Sequence, residues 1–205
     1  MKLYGSLTSP YVRKVRILLK EKTLPVEFVV EDPWQEGSRI PAMNPLGKVP
    51  TLLLDDGEAM YDSSLVISWL DFRFQCGIVP AEQKGYWDCM KWHTLANGIL
   101  DATVARVLEQ RRPPEKQMPE RLAREDARVT RALDQIESRM TGGAYLVGPA
   151  FSLADIALGV ALQYIDFRDP QSWREKRQRL ARWHAGITAR PSFVDTLPPG
   201  FAAPV

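Results

Sequence analysis

Two proline-marked junctions, Ser9-Pro10 and Val49-Pro50, constrain this chain more than anything else in it. Ahead of the first, Lys2-Leu3-Tyr4 reads as a short strand; behind it, Val12, Val15, Ile17, Leu18 and Leu19 recur at helical spacing. Ser9 then stands at the N-cap and Pro10 at the first helical position, where a missing N–H is harmless. The second junction is entered through the turn Asn44-Pro45-Leu46-Gly47 and left through Thr51-Leu52-Leu53-Leu54, an apolar run that reads as a strand. Proline cannot donate to a ladder, so Pro50 belongs at the strand's head. Asp55-Asp56-Gly57-Glu58 carries an Asp-Gly hairpin signal, which makes 59–61 the antiparallel neighbour of 51–54. Asp62-Ser63 opens another helix, with Leu65, Val66, Trp69 and Leu70 expected on its buried stripe.

These junctions have a chemistry as well as a geometry. Ser9 sits where unpaired N–H groups and the positive end of a helix dipole favour an anion; a thiolate placed there is stabilised, and a hydroxyl can add one hydrogen bond to the sulfur. The competing reading is a helix cap and nothing more. A cis Val49-Pro50 bond would turn the Val49 backbone toward solvent, leaving its N–H and C=O for an extended peptide ligand, whereas a trans bond would only begin a strand. Asp62 and Ser63 serve equally as a cap or as receivers of an α-amino group and an α-carboxylate. Lys48 is either the partner of a second carboxylate or a solvated charge.

Beyond residue 75 the pattern changes. Cys76-Gly77-Ile78-Val79-Pro80 breaks the preceding helix, and a linker over 76–85 is expected to separate a domain of residues 1–75 from one of residues 86–205. Trp87, Met90, Leu95, Ile99, Val104, Val107 and Leu108 support one long helix stopped before Pro113-Pro114, and another is expected from about Pro119 to Met140, ended by Thr141-Gly142-Gly143. Ser152 and Asp155 form a capping box with Asp in place of Glu, launching an apolar helix over 156–164. The run Arg174-Glu175-Lys176-Arg177-Gln178-Arg179 is expected on a solvated face, because Trp173, Leu180, Trp183 and Ile187 make one helical stripe. The tail from Pro198 is expected to be loosely ordered.

Composition excludes several classes. A net charge of +2, from 27 basic and 25 acidic residues, offers nucleic acid no global attraction. No apolar run has the length of a membrane span and no leader pattern follows Met1, so a cytoplasmic protein is expected. The two cysteines, Cys76 and Cys89, make neither a Cys-x-x-Cys motif nor a disulfide framework, which fits a reducing compartment. Cys89 and His93 stand four apart on the long helix, but three or four ligands are needed for zinc, so no metal is expected.

Ser-Pro-Tyr-Val-Arg at 9–13, Asn-Pro-Leu-Gly-Lys-Val-Pro at 44–50 and Asp-Ser at 62–63 together resemble the cytosolic glutathione transferases, and the resemblance extends over essentially the whole chain. It implies a thioredoxin-like α/β N-terminal domain followed by an all-α domain. Position by position it implies Ser9 on the glutathione sulfur, Val49 before the cis-proline position Pro50 as backbone partner of the cysteinyl unit, Asp62 and Ser63 on the γ-glutamyl group, and Lys48 near the glycine carboxylate. Members with thiol-transfer chemistry carry Cys where this chain has Ser9, which argues for activation by hydrogen bonding rather than mixed-disulfide chemistry. Tyr4 lies too early to register with the catalytic tyrosine of other classes and is expected to pack in its strand. Tyr11, with Met90, His93 and Asn97 on the long helix, is a candidate for an acceptor pocket; the alternative for His93 and Asn97 is a satisfied polar seam. Glutathione as co-substrate, a small electrophile as acceptor and a homodimer are the partners the resemblance implies. The alternatives are a non-catalytic binding or regulatory protein on the same fold, or a glutathione-dependent peroxidase or isomerase.

Overall fold

A computed structural model describes residues 1–168 and 173–202. The chain divides into two compact units, the first formed by Met1–Val79 together with Arg190–Phe201 and the second built on Pro80–Ala189. The first unit runs β1 (Lys2–Gly5), α1 (Pro10–Glu21), β2 (Glu27–Val30), α2 (Ile40–Met43), β3 (Thr51–Leu53), β4 (Ala59–Met60) and α3 (Ser63–Phe74). The second holds α4 (Gln83–Gln110), α5 (Pro119–Arg139), α6 (Leu153–Arg168) and α7 (Gln178–Thr188); α8 (Pro191–Val194) then returns to the first unit. This is the thioredoxin-like domain plus helical domain that the sequence motifs imply.

The sheet has the order β2-β1-β3-β4. β1 is parallel to β2 and antiparallel to β3, with Tyr4 opposite Thr51, while Leu52 of β3 lies opposite Met60 of β4. This register has one consequence for function. The C-terminal ends of β1, β2 and β4 and the N-terminal end of β3 all emerge at the same end of the sheet, so Ser9, Val49-Pro50 and Asp62-Ser63 are delivered there together. Leu3, Val15, Leu18, Leu52, Val66 and Leu70 are fully buried beneath them, each contributing about 1.5–3 kcal/mol of apolar burial.

Helix α3 departs from its expected face. Val66, Ile67 and Leu70 are inward, with Ser63, whereas Leu65 is half exposed and Phe72 is 88% exposed. The helix is apolar nearly all round, so periodicity does not fix its phase; packing on α1 and β3 does. It ends on Gln75 in the left-handed region (φ 51°), after which the Asp71 carboxylate accepts the N–H groups of Ile78 and Val79 at 2.8 and 3.2 Å.

In the second unit α6 is the central helix, buried from Leu153 to Asp166 and packed on α4 and α7. The capping box is present in a modified form. Asp155 accepts from the Ser152 N–H and hydroxyl at 2.8 and 2.9 Å and from the Leu146 N–H at 2.8 Å. Helix α4 is as long as expected but turned: Cys89, His93, Ala96, Ile99 and Thr103 face inward while Trp87 and Leu108 are exposed. The basic run is not a free solvated face. Arg174 pairs with Asp166, Arg177 with Asp134 and Arg179 with Glu137, and Trp173 is buried ahead of α7 rather than within it. The tail also differs: Arg190–Phe201 packs with the first unit rather than the helical one, and Pro198 is buried; residues 203–205 lie outside the described part.

Candidate functional site

Each part of the site is held by short-range chemistry. Ser9 adopts extended backbone angles (φ −77°, ψ 123°), its Oγ accepts the Val12 N–H at 3.3 Å, and its carbonyl accepts the Arg13 N–H at 3.0 Å. The capping and functional readings are compatible, because a hydroxyl that accepts one bond still has its own proton to donate. Immediately before it, Ser6 and Thr8 have their hydroxyl oxygens 3.2 Å apart, and the Ser9 N–H donates to the Ser6 carbonyl.

The Val49-Pro50 bond is cis, and so is Tyr61-Asp62. The ladder begins at Thr51, leaving Val49 ahead of it. What holds this corner is a residue expected only as the start of a turn. Asn44, 1% exposed, donates from Nδ2 to the Lys48 carbonyl at 2.8 Å and to Thr51 Oγ1 at 3.2 Å, and its Oδ1 accepts the Leu46 N–H at 2.9 Å. An Asn opening an Asn-Pro turn is the signal that could have found it. The Lys48 side chain is exposed.

Asp62 caps α3 through the Ser64 N–H, 2.8 Å from Oδ1, and is exposed; Ser63 is buried at the first helical position. A second cation was not foreseen. Arg39 is fixed by Glu31, which accepts from its backbone N–H at 2.9 Å and from Nε and Nη2 at 3.1 and 2.7 Å. These donors hold the Glu31 carboxyl below its ordinary range. The Arg39 guanidinium lies 5.2 Å from the ring centroid of Tyr4, the buried strand residue opposite Thr51. Nothing local in the sequence joins Glu31 to Arg39.

The acceptor candidates divide between the units. Tyr11 is half-buried on α1, its ring 5.6 Å from the Lys14 Nζ. On α4, Met90 and Asn97 are half-buried, whereas His93 is only 2% exposed and its Nε2 accepts from Asn97 Nδ2 at 3.2 Å, the arrangement of a polar seam. Among the described residues no group of three or more His, Cys, Asp or Glu could hold a metal ion, and no helix is long and apolar enough to cross a membrane.

Residues 3–76 match the N-terminal domain of glutathione S-transferase and residues 119–186 match its C-terminal domain. The chain belongs to the glutathione S-transferase family. Among relatives of this family member is the GST-like protein YibF of Escherichia coli (strain K12), itself described as uncharacterized, which is 35% identical over 97% of this chain and 99% of its own. A glutathione S-transferase from Methylobacillus flagellatus KT, solved with glutathione bound, superimposes with a TM-score of 0.92 at 37% identity, covering 96% of this chain and 98% of that one. Another from Methylobacterium radiotolerans, in complex with glutathione sulfonate, gives 0.91 at 35% identity over 100% and 97%. In this glutathione S-transferase family member the segments carrying Ser9, Val49-Pro50 and Asp62-Ser63 all fall within the matched N-terminal domain.

Proposed function

We propose that the chain is a glutathione transferase that adds the glutathione thiolate to a small electrophile. The observation that carries this reading is the convergence of three binding elements at one end of one sheet: a hydroxyl at a helix N-cap, a backbone corner outside the ladder, and an acidic cap on a second helix. Ser9 stabilises the sulfur as thiolate, Val49 offers its backbone to the cysteinyl unit beside Pro50, and Asp62 with Ser63 receives the γ-glutamyl amino and carboxylate groups. Lys48 supplies the cation for the glycine carboxylate, with Arg39 as a second. Activation then consists of binding the peptide by its charged ends and favouring the ionised sulfur. Tyr11, Met90, His93 and Asn97 are acceptor-side candidates through the family resemblance alone.

The test is calorimetry with glutathione on the wild type and on Asp62→Ala. Micromolar-to-millimolar binding weakened about tenfold by the substitution, the loss of one charge-assisted contact, supports the site. Absence of binding to the wild type would move the non-catalytic scaffold reading to first place. The homodimer is likewise a proposal, supported by Leu65 and Phe72, which α3 leaves exposed on the same face as the half-buried Trp69.

A further inference from the structure

The chain's return to its first unit bears directly on α1. Arg190 and Glu21 form a forked ion pair, Nε to Oε1 at 2.9 Å and Nη2 to Oε2 at 2.6 Å, and the Ser192 hydroxyl donates to the same carboxylate. Lys20 reaches Asp195 at 3.0 Å. The central contact is Arg13, a guanidinium on α1 that is 3% exposed. Its Nη2 donates to the Phe193 carbonyl at 2.9 Å and its Nε to Thr196 Oγ1 at 3.3 Å, and the cation lies 5.7 Å from the centroid of the Phe193 ring. Thr196 in turn donates to the Ser192 carbonyl at 2.7 Å, and Phe193 and Thr196 are fully buried. A buried guanidinium tied to a carbonyl, a hydroxyl and a ring couples α1 to this returning segment. The backbone N–H of the same residue closes the first turn of α1 on the Ser9 carbonyl.

We propose that Arg13 and the strap 190–201 are positioning elements for Ser9, fixing the first turn of α1 so that the hydroxyl and the N–H groups around it stay aimed at the thiol. The strap acts on Ser9 through α1. This rests on the reading of Ser9 as the sulfur-stabilising group, and the experiment separates the two.

Thr196→Val removes one acceptor from Arg13 at nearly constant volume, and Arg13→Lys keeps the charge but loses the fork. A third arm uses Glu21→Arg and Arg190→Glu singly and together. Amide hydrogen exchange at Val12 and Arg13 is followed with the ionisation of bound glutathione, read by thiolate absorbance against pH, and with kcat and KM for glutathione. We expect Thr196→Val, Arg13→Lys and the single charge reversals to speed exchange in the first turn of α1 while β3 stays protected. The bound thiol's pKa should rise by roughly half a unit, the size of a helix-terminus effect, and the double reversal should restore it. Lower melting temperatures with unchanged first-turn exchange and an unchanged thiol titration would overturn the proposal, leaving the strap as packing alone. If wild-type protein binds no glutathione, the Ser9 reading fails, while exchange at Val12 and Arg13 still decides whether the strap holds that turn.

Discussion

Ser9 accepts one hydrogen bond from the Val12 N–H and has its own proton to give, and the role proposed for it turns on the one it gives. Replacing it by alanine removes both. A hydrogen bond to a charged partner is worth about 1.5–3 kcal/mol, so Ser9→Ala should lower turnover with a reactive electrophile roughly 10- to 100-fold while glutathione affinity stays within about twofold. Steady-state kinetics beside calorimetry checks this, and full turnover in the variant would hand the sulfur to another group. Asp155 makes a contrast at the same scale. It is fully buried, and burial pushes its carboxyl up even though hydrogen bonds from Leu146, Ser152 and its own backbone oppose that shift. Asp155→Ala would leave the N–H groups of Ser152 and Leu146 without their acceptor. A loss of about 1–3 kcal/mol in stability is expected, with no change in glutathione affinity; an unshifted thermal melt would contradict it.

Among the elements, α1 carries two different interactions at its two ends. Its N-terminus presents Ser9, and its C-terminal residue Glu21 anchors the strap through Arg190 and Ser192. Burial tends to raise the Glu21 carboxyl, but hydrogen bonds from Arg190 and Ser192 outweigh it, so the group lies below its ordinary value of 4.5. A depressed carboxyl contributes stability that is present above the unfolded value and is lost as pH falls through the folded one. The strap's ion pair should therefore hold at neutral pH and fail on acidification below 4.5. Chemical denaturation across that range should show a shallower acid dependence in Glu21→Gln than in the wild type. Equal slopes would mean that Glu21 gains nothing from Arg190.

For the whole molecule, the exposed apolar residues on α3 are a feature that packing within the chain does not explain. Phe72 at 88% exposure and Leu65 at 50% are large apolar groups on one face of a helix whose other face is fully packed. If that face meets a second copy, a charge at Phe72 should weaken association at least about tenfold, as expected for an aromatic anchor at an interface centre. Sedimentation of Phe72→Lys across a range of concentrations reads this directly. A wild type that stays monomeric throughout would remove the dimer reading.

Much of this fold was legible because its signals are local. Ser9-Pro10, the turn at Asn44-Pro45, the Asp-Gly hairpin and the Ser152–Asp155 box each act within a few residues, so backbone preference and capping alone determined where elements start and stop. The residues proposed for the thiol site stand at element ends marked by the same local signals, and their roles came from the family resemblance. Tertiary structure decided what depends on partners distant in sequence. The phase of α3 and the rotation of α4 were open because both helices carry apolar residues on more than one face, and only packing chooses among them. Arg39 became a second cation through Glu31, the run 174–179 was drawn into ion pairs with α5 and α6, and Arg13 found its carbonyl 180 residues away. Pairings of this kind leave no periodic trace in a single chain, because charge attraction and burial are properties of the folded surfaces that meet and not of the segments that carry them.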